Sequence, residues 1–298
     1  MQGLTQILFP CTSTVGKVTT LVLFLLFASQ KAFNLGKPVK ISGVVITYNE
    51  ERNLARCLES LKNVVDELLV VDSFSTDNTE AIARQYGARF IQHPFEGHIE
   101  QKNYAAREAQ FDYVLSLDAD EALDDNLTRA ITAVKQNWQY DAYRMDRLNN
   151  YGGHWVRHGG WSPDYNWRLF DRRRAKWGGY NPHDKLEITS GGNFGKLSGK
   201  LLHYTYDPED QVLVLTEHMN QINFFATRWA ESAYAKNKRV WTLWHLVLRP
   251  PIQFVLEYIF KLGFLDGFTG YTLAKASAWH KYLKYLKLKA LIKQNRKS

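Results

Sequence analysis

Between residues 41 and 118 the chain alternates four times between short apolar runs and stretches of helical spacing, and few architectures accept that order. Ile41–Thr47 (ISGVVIT) is a continuous apolar run, as expected of a strand covered on both faces in a parallel sheet. Residues 51–63 place Leu54, Leu58 and Leu61 on one helical face. Glu67–Asp72 (ELLVVD) predicts a second buried strand, and 76–86 a helix capped by Ser75 or Thr76. Residues 88–92 predict a third strand, 99–109 a helix, and 113–117 (YVLSL) a fourth strand. This order with short links predicts an α/β fold, a mostly parallel sheet flanked by helices. In such sheets ligands bind beyond the carboxyl ends of the strands. The residues directly after each strand are therefore the candidates for chemistry.

Those residues are polar: Tyr48, Asn49 and Glu50 after the first strand, Asp72, Ser73, Ser75 and Asp77 around the end of the second, Asp118, Asp120 and Glu121 after the fourth. No glycine-rich dinucleotide turn follows the first strand and no phosphate-binding P-loop motif occurs, which argues against Rossmann dehydrogenases and P-loop NTPases. With only Cys11 and Cys57, a disulfide framework and a cysteine-rich zinc site are both excluded. Asp118-Ala119-Asp120, read as extended, sets two carboxylates on one side of the chain. Such a pair suits a hard divalent cation, Mg²⁺ or Mn²⁺, shared with substrate phosphates.

At these motifs the chain resembles a known family. VVITYNEERNL (44–54), VVDSFSTDNT (70–79), QKN (101–103) and SLDADE (116–121) resemble family 2 glycosyltransferases of the GT-A fold. GGWSPDYNWRLF (159–170), PHDKLEI (182–188), LLHYTY (201–206) and GFLDGFTGY (263–271) are similar to the bacterial lipopolysaccharide-core β-glucosyltransferases within it. The resemblance implies a nucleotide pocket lined by Thr47, Tyr48, Asn49 and Glu50. It implies that Asp72 contacts the base or ribose with Ser73 beside it, that Lys102 and Asn103 lie next to the donor, and that Asp118 faces the ribose or metal. Asp120 would bind the metal, and His203 would be a late metal or diphosphate contact. It implies His183-Asp184 as the catalytic pair, with Asp184 as the base. Relatives usually carry Glu there, one methylene longer, so Glu187 and Asp164 stand as alternative bases. UDP-glucose as donor and a lipopolysaccharide-core or other cell-envelope glycan as acceptor are implied in the same way. Transfer to a polyprenyl phosphate is the alternative within this chemistry, and a non-catalytic nucleic-acid- or membrane-binding protein the alternative outside it.

The loop 151–182 is rich in Gly, Trp and Arg. Aromatic faces stack on sugars and guanidinium forks bind phosphate, so Trp161 and Arg168 are the expected acceptor contacts. Charge divides the chain unevenly. The overall +8 comprises 13 Lys/Arg against only Glu257 and Asp266 from residue 236 onward, and 25 Lys/Arg against 28 Asp/Glu before it. Helices are expected over 210–236 and 272–297. An apolar stretch over 240–262 should be broken at Pro250-Pro251 into a pair of interfacial helices. Basic residues set beside Trp, Tyr and Leu suit contact with an anionic membrane surface. No helix-turn-helix, RRM or zinc-finger pattern accompanies the basic tail, so nucleic acid is not an expected partner. The expected organisation is an apolar N-terminal extension (1–37), a GT-A catalytic domain (38–207) and a basic amphipathic helical segment (208–298). The run VTTLVLFLLFA (18–28) has 11 residues, short of a span, and reads as a signal-like core, an anchor or an upstream extension. The expected location is peripheral, at the cytoplasmic face of the bacterial inner membrane.

Overall fold

The structure, a computed structural model, describes residues 38–180, 183–189, 191–206 and 210–295. The N-terminal extension and the expected boundary at 207/208 lie outside the described residues. The strands are β1 Ile41–Thr47, β2 Glu67–Asp72, β3 Arg89–Gln92, β4 Tyr113–Asp118, β5 Glu121–Leu123, β6 Ala142–Tyr151, β7 His154–Trp155, β8 Asp164–Asp171, β9 Ala175–Tyr180, β10 His183–Ile188 and β11 Phe194–Tyr204. The α-helices are α1 Leu54–Leu61, α2 Thr79–Gln85, α3 His98–Glu108, α4 Asp125–Gln136, α5 Gln211–Ala235, α6 Arg249–Val255 and α7 Gly267–Gln294.

Every residue of β1 is buried. Alternation along the strand sends Ile41 and Val45 into a core shared with Leu54, Leu58 and Leu61 of α1. Val44 and Ile46 enter the opposite core with Ala105 and Ala106 of α3 and with Phe170. Each such side chain contributes about 1.5–3 kcal/mol on burial, which fixes β1 as the centre of the sheet. The strand order is β3-β2-β1-β4-β8-β6-β11-β5, with β7 paired to β6, and β9 and β10 form a separate hairpin. Pairing is parallel from β3 through β4, antiparallel where β8 meets β4 and β6, and parallel again between β6 and β11. The chain leaves β1 to one side for β2 and returns on the other as β4. That reversal opens a crevice at their carboxyl ends.

Two expectations change. The Asp118-Ala119-Asp120 segment is not extended: β4 ends at Asp118 and the next two residues turn. The prolines do not break the 240–262 stretch. Pro sits at the first turn of α6, and wide π-helical turns, Leu243–Leu248 and Leu256–Phe260, flank that helix. A proline lacks an N–H and crowds the carbonyl four residues back, and a widened turn relieves both. Helix α7 follows a short 3₁₀ turn, Gly263–Asp266, and packs along α5 and α6. Among the described residues, no helix is long and apolar enough to cross a membrane.

Candidate active site at the ends of β1 and β4

The loops after β1 and β2 are laced together. Asn49, in the left-handed region at φ 53°, accepts from the Thr76 N–H at 2.8 Å, and its own N–H donates to Ser75 Oγ. Glu50 N–H donates to Thr79 Oγ1, and Glu51 N–H to Asp77 Oδ2. Asp72 is fully buried, and both its oxygens accept from Ser75. Its carboxylate therefore shapes the loop rather than facing a ligand. Ser73 does reach the crevice and accepts from Gln101 Nε2 at 3.1 Å.

Below the crevice lies a chain of paired charges, with Lys102, Arg168 and Glu121 buried and the rest half-buried. Arg168 Nη2 bridges Asp118 Oδ2 at 2.6 Å and Glu121 Oε1 at 2.7 Å. Lys102 Nζ lies 3.2 Å from Asp118 Oδ1 and 2.9 Å from Asp184 Oδ2. Arg147 continues the chain from Glu121 to Asp164. Burial alone would raise the Asp118 carboxyl, but the Arg168 and Lys102 cations outweigh it and hold the group far below the usual carboxylate range. Burial raises Glu50, with Asp120, Asp77 and Asp118 adding to it and Asn53 opposing. Asp120 Oδ2 meets His203 Nε2 at 3.1 Å, and His203 Nδ1 is held by Asn149 Oδ1 and Thr205 Oγ1.

Two cavities open here. The first, about 280 Å³, is lined by Thr47, Tyr48, Glu50, Ser73, Asp118, Asp120 and His203 among others. Two of its polar atoms, Thr47 Oγ1 and Asp118 Oδ1, are buried without a hydrogen bond. The Lys102 ammonium near Asp118 Oδ1 is an ion-pair contact off hydrogen-bond geometry. Among the described residues no three His, Cys, Asp or Glu side chains are grouped closely enough to hold a metal ion as they stand, but the carboxylates of Asp118 and Asp120 are the ligand type that Mg²⁺ or Mn²⁺ shares with substrate phosphates. The second cavity, about 370 Å³, is lined by Arg147, Asn149, Trp161, Asp164, His203, Thr205 and Gln221 among others. His203 belongs to both.

The expected residues thus fall into three groups. Thr47, Tyr48, Glu50, Ser73, Asp118, Asp120 and His203 line the first cavity, and Trp161 lines the second. Asn49 and Asp72 brace loops, while Asn103 ties α3 to β9 through the Trp177 backbone. Arg168, expected at the acceptor, is instead buried beneath Asp118, because β8 lies next to β4 and points it inward. Asp184 reaches Lys102 from β10. His183 lies at the start of that strand, opposite Tyr180. Glu187 is three positions on, on the opposite face of β10 from Asp184. Sequence reading missed Arg147 and Asn149. Their two-residue spacing on β6 was the available signal, once 142–151 is known to be a strand.

The model of the family described as "Glycosyl transferase family 2" matches residues 42–198, more than half of the chain. The chain belongs to this family. The transferase is 29% identical to a glycosyltransferase of Rickettsia typhi, covering 86% of this chain and 89% of that protein. It is also 29% identical to the lipopolysaccharide core biosynthesis glycosyltransferase LpsC of Rhizobium meliloti, covering 83% and 91%. Among solved structures, S. aureus TarS aligns with a TM-score of 0.43 at 18% identity, over 83% of this chain and 54% of that one. Glucosyl-3-phosphoglycerate synthase of Mycobacterium tuberculosis, in complex with Mn²⁺, UDP and glucosyl-3-phosphoglycerate, aligns with a TM-score of 0.33 at 24% identity, over 38% and 45%. The α/β architecture with its curled, mostly parallel sheet is GT-A-like, as the sequence motifs implied.

Proposed function

We propose that the transferase moves glucose from UDP-glucose to a lipopolysaccharide-core or other cell-envelope glycan, with inversion, while resting on the cytoplasmic face of the inner membrane. The observation that carries this reading is the pair of adjoining cavities sharing His203, one edged by Asp118 and Asp120 and the other by Trp161 and Asp164. The likeness to LpsC and the motif resemblance support the acceptor class. The exposed aromatic and aliphatic side chains of 241–268, among them Trp241, Leu243, Phe260 and Phe268, support the membrane surface.

The donor nucleotide occupies the first cavity, where exposed Tyr48 offers a ring face to the base and Thr47 a free hydroxyl. Asp118 and Asp120, with His203 beside them, would hold the divalent cation, which when bound stabilises the negative charge of the departing diphosphate as a Lewis acid. Arg168 and Lys102 keep Asp118 ionised without occupying the cavity. The acceptor occupies the second cavity, where Trp161 stacks on a sugar and Asn149, Thr205 and Gln221 bond its hydroxyls. A carboxylate then takes the acceptor hydroxyl's proton as the new bond forms. Asp184 is that base by motif position. Asp164 is the second reading, favoured by its place in the wall of the acceptor cavity.

The test is nucleoside-diphosphate release from a panel of donors with Mn²⁺ or Mg²⁺ and lipid A–core acceptors, with products weighed by mass spectrometry. A hexose added to a core acceptor is the expected result. Absence of transfer from every donor, with the protein folded and the metal present, defeats the reading.

A further inference from the structure

A third cavity, larger than the two above, lies away from this chemistry, where the turn after α5 meets the end of α7. It measures about 850 Å³ and is lined by Tyr234, Asn237, Lys238, Arg239, Val240, Trp241, Lys289, Ile292, Lys293 and Asn295. Four of these ten are cations, and among the described residues no Asp or Glu lines it. Asn237, left-handed at φ 54°, turns the chain so that 238–241 runs back beside α7. Lys289 is fixed by donating to Thr242 Oγ1 at 2.8 Å.

The missing counter-charge follows from how the segment is built. From residue 236 onward its only acids are Glu257 and Asp266, and both are buried. Asp266 accepts from the N–H groups of Arg157 and His158 at 3.0 and 2.8 Å. Glu257 accepts from Gln253 and packs directly against Gly160. Both acids are therefore used to dock the helical segment on the catalytic loop. The outer cations crowd one another, with Glu257 offsetting part of the repulsion at Lys281. Burial pushes Lys284 down to about 8, with Lys281, Arg249 and Lys238 adding to it.

One wall of the cavity is apolar and leads outward. Trp241 lines it while 70% exposed, and Leu243, Trp244 and Val247 continue as an exposed ridge along the first π-helical turn. A nucleic acid would use the cations and leave this ridge in water. A phospholipid uses both, its phosphate among the cations and its acyl chains along the ridge. The volume is of the size that holds a small ligand.

We propose that this cavity is a headgroup site for an anionic phospholipid, with Lys238, Arg239, Lys289 and Lys293 binding the phosphate. The inference rests on the membrane-surface reading above and narrows it from a diffuse basic face to one site.

The test is cosedimentation of the full chain with phosphatidylcholine vesicles, with and without phosphatidylglycerol. Two double variants are compared: Arg239→Ala with Lys293→Ala in the cavity, and Lys261→Ala with Lys275→Ala outside it. Removing two cations from the site should weaken binding to the anionic vesicles about 30-fold, at about 1 kcal/mol per cation and tenfold per 1.4 kcal/mol. The outside pair should lose severalfold less, and both variants should release UDP from donor at the wild-type rate. Equal losses in the two variants overturn the site and leave the membrane reading standing. A wild type indifferent to phosphatidylglycerol overturns both. Inorganic phosphate that binds the wild type without vesicles, and displaces it from them at matched ionic strength, overturns the lipid in favour of a soluble anion. Duplex DNA bound more tightly than vesicles, and lost in the cavity variant, overturns it in favour of nucleic acid.

Discussion

In the sheet half of the molecule the buried cations pair with carboxylates, whereas in the helical half a set of half-buried cations lies side by side. Lys102 and Arg168 are both 3% exposed, yet each touches two acids. Lys281, Lys284 and Arg249 are half-buried and close enough to repel; Glu257 offsets part of that repulsion at Lys281, while Lys284 is pushed down by its cationic neighbours. A cation with its counter-charge built in is part of the scaffold. A cation without a full counter-charge leaves positive potential that an anion from outside the chain can meet. The same two residue types therefore stabilise a site in one half and advertise one in the other.

The sharpest way to break this comparison is at the rim of the first cavity. Asp120→Asn removes a carboxylate whose partner His203 has other bonds, so the fold should survive. Loss of the cation's stabilisation, worth several kcal/mol, predicts turnover down by about 1,000-fold. Steady-state UDP release and a thermal melt decide it: full turnover ends the metal role, and a collapsed melt ends the separation of site from scaffold.

Within the sheet half, the two candidate bases are distinguished next. Asp184 is paired with Lys102 beneath Asp118, while Asp164 is paired with Arg147 in the wall of the second cavity. Conversion of the true base to Asn should lower kcat by about 100- to 10,000-fold, and conversion of the other by less than tenfold. Comparable losses in both would assign the two residues to geometry, with neither as sole base.

The comparison of the halves themselves rests on a pair of variants. Arg168→Met leaves buried Glu121 and half-buried Asp118 without their shared cation and should cost about 3–5 kcal/mol. Lys284→Met removes a cation from a cationic neighbourhood at the expense of its contact with the Trp229 ring, 4.6 Å away. Its effect should lie within about 1 kcal/mol of zero. Urea unfolding midpoints measure both. Equal destabilisation would mean that Lys284 has a partner as Arg168 does.

The parallel half of the sheet could be read from sequence because β1, β2 and β4 are local apolar runs and their order alone dictates the crevice. The motif residues at their ends follow directly, and Thr47, Ser73, Asp118 and Asp120 all reach the cavity. The antiparallel half could not be read in the same way. Arg168 and Arg147 have their roles only because β8 lies between β4 and β6, a long-range pairing that no local pattern encodes. Asp72 shows a different limit: a carboxylate after a strand can serve the loop as readily as the ligand. Pro250 and Pro251 failed as breakers because a π-helical turn can absorb what an α-helix cannot.

The smallest expected effect probes the seam between the halves. His218 is buried against Tyr151, Trp161 and Tyr206 behind the acceptor cavity, with Nδ1 3.0 Å from the Tyr151 hydroxyl. Burial pushes it down to about 4. The unfolded chain takes up this proton near pH 6.5 and the folded one only near 4. Stability is therefore complete above about pH 6.5 and falls as pH drops from there toward 4, by roughly 2 kcal/mol after allowance for partial solvent contact. His218→Gln should flatten that acid limb. His280, on α7, is also pushed down to about 4, by burial first but with Lys284, Lys281 and His218 adding to it. Salt screens charges and leaves burial untouched. The part of the acid limb removed by His218→Gln should therefore change little with salt, its only charge contribution being the coupling to His280, while the part removed by His280→Gln should shrink clearly as salt rises. Urea midpoints between pH 4 and 7 at two salt concentrations measure this. Equal salt sensitivity in the two variants would mean that the cations of α7 do not act on their neighbours as the uncompensated charges inferred here.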